Sequence, residues 1–193
     1  MSHTEREAIA ALKGGDIGGL EALVGLYQLR AVRAAYAITG DRHVAEDVAA
    51  DAFLLLYERI DQFDDRRPFA PWFYRIVVNG ALKAVRGARR RPGAGEEEDA
   101  GWPEEQVDSS PGPEEQVARR ELRLLLIGAI DALPPRQRAA LVLRYYLDMD
   151  EAAIAQTLGC PLGTVKWRLH AAKKQLRQSL IPKSGPGTPE YEW

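Results

Sequence analysis

A single cysteine, Cys160, stands among the 193 residues, with two methionines and three histidines. One thiol closes no internal disulfide, so a secreted, cross-linked framework is excluded. The histidines, at 3, 43 and 170, are too dispersed to suggest a shared metal or a catalytic relay. Cys160 has no obvious base beside it, and no glycine-rich phosphate loop occurs. No catalytic residue, metal site, cofactor or small-molecule substrate is therefore expected. No run approaches the ~18 uncharged apolar residues of a membrane span, and Met1-Ser-His-Thr-Glu-Arg-Glu7 lacks the apolar core of a secretory leader. The chain reads as a cytoplasmic protein. Strand alternation is missing too, which leaves an all-helical reading.

Net charge is scarce as well, at -2 in total. Taken alone, that value argues against a nucleic-acid binder, but it conceals a partition. Residues 1–92 hold 14 Lys/Arg and 12 Asp/Glu, residues 93–115 no base and 9 acids, and residues 116–193 hold 12 bases and 7 acids. Two mildly basic segments thus flank a strongly acidic one. The acidic piece is rich in Gly and Pro and poor in apolar residues, so it cannot bury enough surface to offset its ordering entropy. It contains a near-repeat, Pro103-Glu-Glu-Gln-Val107 and Pro113-Glu-Glu-Gln-Val117. The second copy suits a helix start, with Pro at the first position and Glu in the first turn.

Periodicity supplies the helices. Leu20, Leu23, Val24, Tyr27, Ala31, Ala34 and Ile38 recur at helical steps, Gly40 stops that run, and Asp41 can cap the next. Val48, Ala49, Ala52, Phe53, Leu56 and Ile60 form a second stripe, and a third helix runs from near Pro71 to the arginines around residue 90. Beyond the acidic segment, helices are predicted near 114–131, 135–147, 151–158 and 162–179. The expected organisation is two small helical domains, 1–92 and 116–180. A flexible acidic linker, 93–115, joins them, and a disordered tail, 181–193, follows.

Three surfaces point to macromolecular partners. Trp72, Arg75, Asn79, Lys83, Arg86 and Arg90 are separated by steps of 3, 4, 4, 3 and 4, which places them on one helix face. Six bases and no acid lie between Arg75 and Arg91. With the aromatics Phe63, Phe69, Trp72, Phe73 and Tyr74 at one end, such a face suits a nucleic-acid backbone with bases stacked on rings. A solvated basic face over an aromatic core is the plainer alternative.

The second surface lies near the C-terminus. Asp150 can cap a short helix, Gly159 can end it, and Gly163-Thr-Val-Lys-Trp-Arg-Leu169 opens another, in the manner of a helix-turn-helix. Val165, Leu169, Ala172 and Leu176 make its buried stripe. Lys166, Trp167, Arg168, His170, Lys173, Lys174 and Arg177 are left for a groove and its phosphates. The third surface is acidic. Asp47, Asp51, Leu54 and Glu58 sit at steps of 4, 3 and 4 on the side of their helix away from its stripe, beside Tyr57. By itself it would pass as a solvated face, but exposed apolar residues among the acids suit protein binding.

Five motifs fall in order: Ala45-Glu-Asp-Val-Ala-Ala-Asp-Ala-Phe53, Pro71-Trp-Phe-Tyr-Arg-Ile-Val-Val-Asn79, Leu133-Pro-Pro-Arg-Gln-Arg138, Ile154-Ala155 and Gly163-Thr-Val-Lys-Trp-Arg168. Together they resemble the extracytoplasmic-function (ECF) RNA polymerase sigma factors of the sigma-70 family, the minimal bacterial transcription initiation factors. The likeness spans roughly residues 10–92 and 116–180. It implies sigma domain 2 before the linker and sigma domain 4 after it, with function in promoter-specific initiation. It also implies core RNA polymerase and promoter DNA as partners, and an anti-sigma factor as a further candidate.

The resemblance assigns roles as well. Asp47, Asp51, Leu54 and Glu58 would grip core polymerase. Phe63, Trp72, Tyr74, Arg75, Asn79, Lys83, Arg86 and Arg90 would meet and help open the -10 element. Thr164, Lys166, Trp167, Arg168, His170, Lys173 and Lys174 would meet the -35 element, and the acidic linker would thread the polymerase as a mimic of an RNA backbone. Trp167 stands where the family commonly has Ser, Ala171 where Arg is frequent, and Ala152-Ala153 where acids usually precede Ile-Ala. These departures imply an unusual -35 preference. The competing reading is a stand-alone helix-turn-helix regulator, which would not need the second nucleic-acid face at 72–90.

Overall fold

The computed structural model describes residues 3–88 and 113–180, all helix and connection, with no strand among the described residues. Four helices make an N-terminal lobe: α1 (His3–Lys13), α2 (Gly18–Thr39), α3 (Arg42–Arg59) and α4 (Phe69–Ala88). Four more make a C-terminal lobe: α5 (Pro113–Asp131), α6 (Pro135–Leu141), α7 (Glu151–Leu158) and α8 (Leu162–Leu180). The linker residues 93–112, Arg90 and the tail 181–193 lie outside the described residues. Residues 113–115, assigned to the linker from composition, are the first turn of α5, where Pro113 needs no hydrogen-bond donor. The helix predicted over 135–147 is α6 followed by a π-helical turn at Val142–Tyr146.

Local chemistry sets the boundaries. Gly40 adopts a left-handed φ of 74° and its N–H returns to the Tyr36 carbonyl at 2.8 Å, ending α2. One residue later the Asp41 carboxylate accepts from Val44 N at 2.9 Å and starts α3. Asp150 repeats this for α7, accepting from Ala153 N at 2.7 Å, and Gly159 ends that helix at φ 59°.

The stripe of α3 is buried as its spacing implies: Val48, Ala49, Ala52, Phe53, Leu56 and Ile60 all face inward. They meet an aromatic cluster in which Tyr27, Phe53, Phe69, Phe73 and Tyr74 pack at centroid separations from 4.9 to 6.0 Å. Apolar burial of this kind supplies most of the lobe's stability.

α1 is the element that periodicity alone did not isolate. Ala8, Ile9 and Leu12 bury against α2, and the Tyr27 hydroxyl donates to the buried Glu5 carboxylate. Burial and that acidic neighbour both raise the Tyr27 pKa. The helices approach so closely that a Cβ at Gly19 would lie 2.4 Å from the Ala8 carbonyl oxygen and 2.5 Å from Leu12 N. Since neither backbone atom can give way cheaply, Gly19→Ala should cost about 1–3 kcal/mol of stability in urea unfolding. A midpoint equal to wild type would contradict this docking of α1.

Candidate nucleic-acid interface

The acidic face of α3 is open to solvent. Asp47, Asp51 and Glu58 are exposed, Leu54 is 61% exposed and Tyr57 51%. Two large apolar side chains beside three carboxylates, on the side of the helix away from the core, form a ready protein-binding edge.

On α4 the same helical geometry separates two sides. Phe69, Phe73, Tyr74, Val77, Val78 and Ala81 are buried, whereas Arg75, Asn79, Lys83 and Arg86 are exposed and Trp72 is half-buried against Phe63 and Phe69. Two residues predicted to stack on bases require correction. Phe63 is 3% exposed and Tyr74 2%, so both are core residues in this arrangement and offer no free ring. Lys13 fixes Phe63 from outside, donating to its carbonyl at 2.7 Å and to Asp65 at 2.9 Å, with Nζ 5.5 Å from the ring centre. Burial pushes the Tyr74 phenol up to about 12, while the nearby Arg30 charge pulls it the other way. In the loop leading to α4, the Arg66 side chain donates twice to Asp64 at 2.9 Å and holds its carboxyl down at about 2.

The helix-turn-helix forms as its spacing implies. Ile154 and Val165 are fully buried where α7 and α8 meet, Leu169 and Ala172 continue the stripe, and Leu176 is partly buried. Lys166, Trp167, His170, Lys173, Lys174 and Arg177 are exposed, Trp167 at 62%, and Thr164 is half-buried. Arg168 requires correction as well. It is 7% exposed and donates to the Cys160 sulfur at 3.3 Å. Its spacing shows why: 168 lies three residues after Val165 and four before Ala172, on the buried side.

Sequence reasoning missed how the lobes meet. α7 and α6 pack on α4, and α6 and the π-helical turn pack on α2. Arg138, 8% exposed, donates to the Ile38 carbonyl at 3.1 Å, one of the terminal carbonyls of α2 that its own helix cannot satisfy. The same guanidinium holds Asp131 at 3.1 Å, so one side chain ties α2 to the end of α5. Arg30 donates to the Tyr146 carbonyl at 3.0 Å and lies 5.9 Å from its ring centre. Asn79 and Arg86, from the basic face of α4, consequently look onto a cavity whose other wall includes Arg136 and Arg168. The sequence did offer a signal, since Arg136 and Arg138 sit within the motif Leu133–Arg138.

Comparison with known proteins agrees with this geometry. Residues 23–91 match the Sigma-70 region 2 family and residues 123–176 match Sigma-70, region 4. The chain is 30% identical to the ECF RNA polymerase sigma factor SigW of Bacillus subtilis (strain 168), over 91% of this chain and 96% of that one. In fold it resembles CnrH, solved in complex with the cytosolic domain of CnrY (TM-score 0.65, 22% identity, covering 92% of this chain and 97% of that one). It also resembles the sigma factor RpoE of Bartonella quintana, solved with the anti-sigma factor NepR (TM-score 0.64, 23% identity, 83% and 94% covered).

Two helical lobes, one matching region 2 and the other region 4, define a sigma-70-type initiation factor. Within that class, the chain belongs to the ECF RNA polymerase sigma factors. It binds core RNA polymerase and directs promoter-specific transcription initiation.

Proposed function

We propose that the work is divided among three faces. Asp47, Asp51, Leu54 and Glu58 of α3 bind core polymerase. Trp72, Arg75, Asn79, Lys83 and Arg86 of α4, continued by Arg90, bind the -10 element as it opens. Lys166, Trp167, His170, Lys173 and Lys174 of α8 read the -35 duplex, with Thr164 at the helix start. The observation that carries the reading is the segregation of charge: an exposed acidic-apolar face on α3 and exposed basic faces on α4 and α8, each opposite a buried stripe. An acidic face would repel DNA and suits a protein partner, whereas the basic faces suit phosphates.

Among the described residues there is no cluster of His, Cys, Asp and Glu able to hold a metal, and no helix long and apolar enough to cross a membrane. We read the protein as a cytoplasmic, non-enzymatic factor whose chemistry is performed by the polymerase. An anti-sigma factor is proposed as a further partner. Its supports are a cavity of about 230 Å³ between the end of α2 and α5, lined by Tyr36, Ala37, Leu126, Ile127 and Ile130, and the exposed Leu122, Leu124 and Leu125 earlier on α5. The domain limits proposed are 1–92 for the polymerase and -10 lobe and 116–180 for the -35 lobe, with the α5 helix already begun at Pro113.

The α8 assignment is open to a salt titration. Replacing Lys173 and Lys174 by Ala should weaken holoenzyme binding to promoter duplex. It should also flatten the log–log salt slope by about 0.9 for each phosphate no longer neutralised. An unchanged slope would remove both residues from the DNA interface.

A further inference from the structure

We propose that the cavity between α4 and helices α6 to α8 of the C-terminal lobe is a binding site for a small polyphosphate anion of the kind nucleotides carry, held jointly by Asn79, Arg86, Arg136 and Arg168. Its volume is about 240 Å³, far above the roughly 10–15 Å³ that a cavity needs, on the same measure, to hold one water. Three guanidiniums and one carboxamide line it, and no carboxylate does.

The partners those arginines already have leave most of their donors unused. Arg168 is 7% exposed, yet its hydrogen bond goes to a thiol, the Cys160 sulfur at 3.3 Å, a weak acceptor for a group with five N–H donors. A largely buried guanidinium is better served by an anionic partner than by a thiol. Arg86 commits Nε to the Leu82 carbonyl at 3.1 Å, which keeps its terminal nitrogens available. Arg136 forms no ion pair among the described residues. Like charges gathered at one cavity repel, and an anion between them turns that repulsion into attraction. Planar guanidiniums match phosphate oxygens two at a time, so a phosphate fits the donor set better than a halide.

Ownership of the walls gives the site a consequence. Asn79 and Arg86 belong to α4, Arg136 and Arg168 to the C-terminal lobe, so the anion meets its full donor set only while the lobes are together. A ligand specific to one arrangement stabilises that arrangement. Filling the cavity therefore holds the lobes closed over part of the basic face of α4. That last step rests on the reading of α4 as a DNA face; the binding itself does not.

The test is calorimetric titration of the full-length chain, free of polymerase and DNA, with inorganic diphosphate. Orthophosphate, sulfate and a nucleoside triphosphate form parallel arms. Saturable binding at one site is expected, with diphosphate ahead of sulfate. Arg136→Ala, a change at an exposed residue, should weaken it about tenfold or more, and Asn79→Ala from the other lobe should weaken it several-fold. Arg66→Ala, at an exposed loop residue paired to Asp64 and absent from the cavity wall, should leave it within about twofold. A nucleoside triphosphate binding tighter than diphosphate identifies a nucleotide as the source, and equal affinity identifies the bare anion. Equal losses in the Arg136 and Arg66 variants would mean an adventitious ion only and would overturn the proposal. So would binding that ignores Asn79, or none at millimolar diphosphate. Competition with a single-stranded -10 oligonucleotide then examines the α4 reading separately, since diphosphate binding without competition would fault that reading and leave the anion site standing.

Discussion

Asp51→Arg should reduce affinity for core RNA polymerase by about 10- to 100-fold while leaving the fold intact. Asp51 is exposed at the centre of the α3 face, between Asp47 and the Leu54–Glu58 pair, so its side chain supports no core packing. Reversal removes one favourable charge and installs an unfavourable one, and like-charge juxtaposition in an interface costs several kcal/mol. About 1.4 kcal/mol is a factor of ten, so even a partly screened position reaches the lower end of this range. The loss should shrink with added salt, because an exposed pair is screened over about 10 Å at 0.1 M. Duplex affinity of the variant without polymerase should match wild type, since α8 lies in the other lobe. Equal core affinity, measured by competition against the wild-type factor, would remove α3 from the polymerase interface.

Joint replacement of Trp72 and Asn79 by Ala should impair strand opening far more than recruitment. Trp72 is half-buried at the end of the aromatic cluster and Asn79 is exposed two turns further along the same face. With Phe63 and Tyr74 in the core, Trp72 is the aromatic of that group left to stack on an unpaired base. One stacked base is worth about 1–3 kcal/mol, which corresponds to roughly a 5- to 150-fold loss of open complex. Unstacking a base itself costs a few kcal/mol, so removing what offsets that cost should act on opening directly. Permanganate reactivity of -10 thymines should therefore fall while holoenzyme still shifts the closed promoter. A footprint as strong as wild type would refute the assignment.

The lobes' interiors were readable from spacing. Every residue of the α3 stripe is buried, and the caps Asp41 and Asp150 and the terminators Gly40 and Gly159 act where turn chemistry places them. Such features are local: a period, a side-chain oxygen, a left-handed residue. α1 was missed because its apolar contribution is short and becomes a core face only against Gly19 of α2.

The site was less legible, for a related reason. Lys83 and Arg75 are exposed as their helical positions imply, but residue type suggested roles for Phe63, Tyr74 and Arg168 that tertiary packing takes away. An arginine spaced to face inward, such as Arg168, looks from composition like one more groove residue. The tie from Arg138 to the Ile38 carbonyl joins residues 100 positions apart. No periodicity announces a helix end capped from another lobe. The near-zero net charge likewise hides, in a single total, an acidic face on α3 and basic faces on α4 and α8.

The proposed division of labour between α3 and α4 meets its most direct test in run-off transcription. Purified core enzyme, wild-type factor and a promoter selected with the reconstituted holoenzyme should yield a defined transcript. The Asp51 variant should recover that transcript when its concentration is raised about 100-fold, as an affinity defect requires. The Trp72–Asn79 variant should not recover at any concentration. Contradiction would come from promoter duplex bound without any transcript, or from two variants that respond to concentration alike.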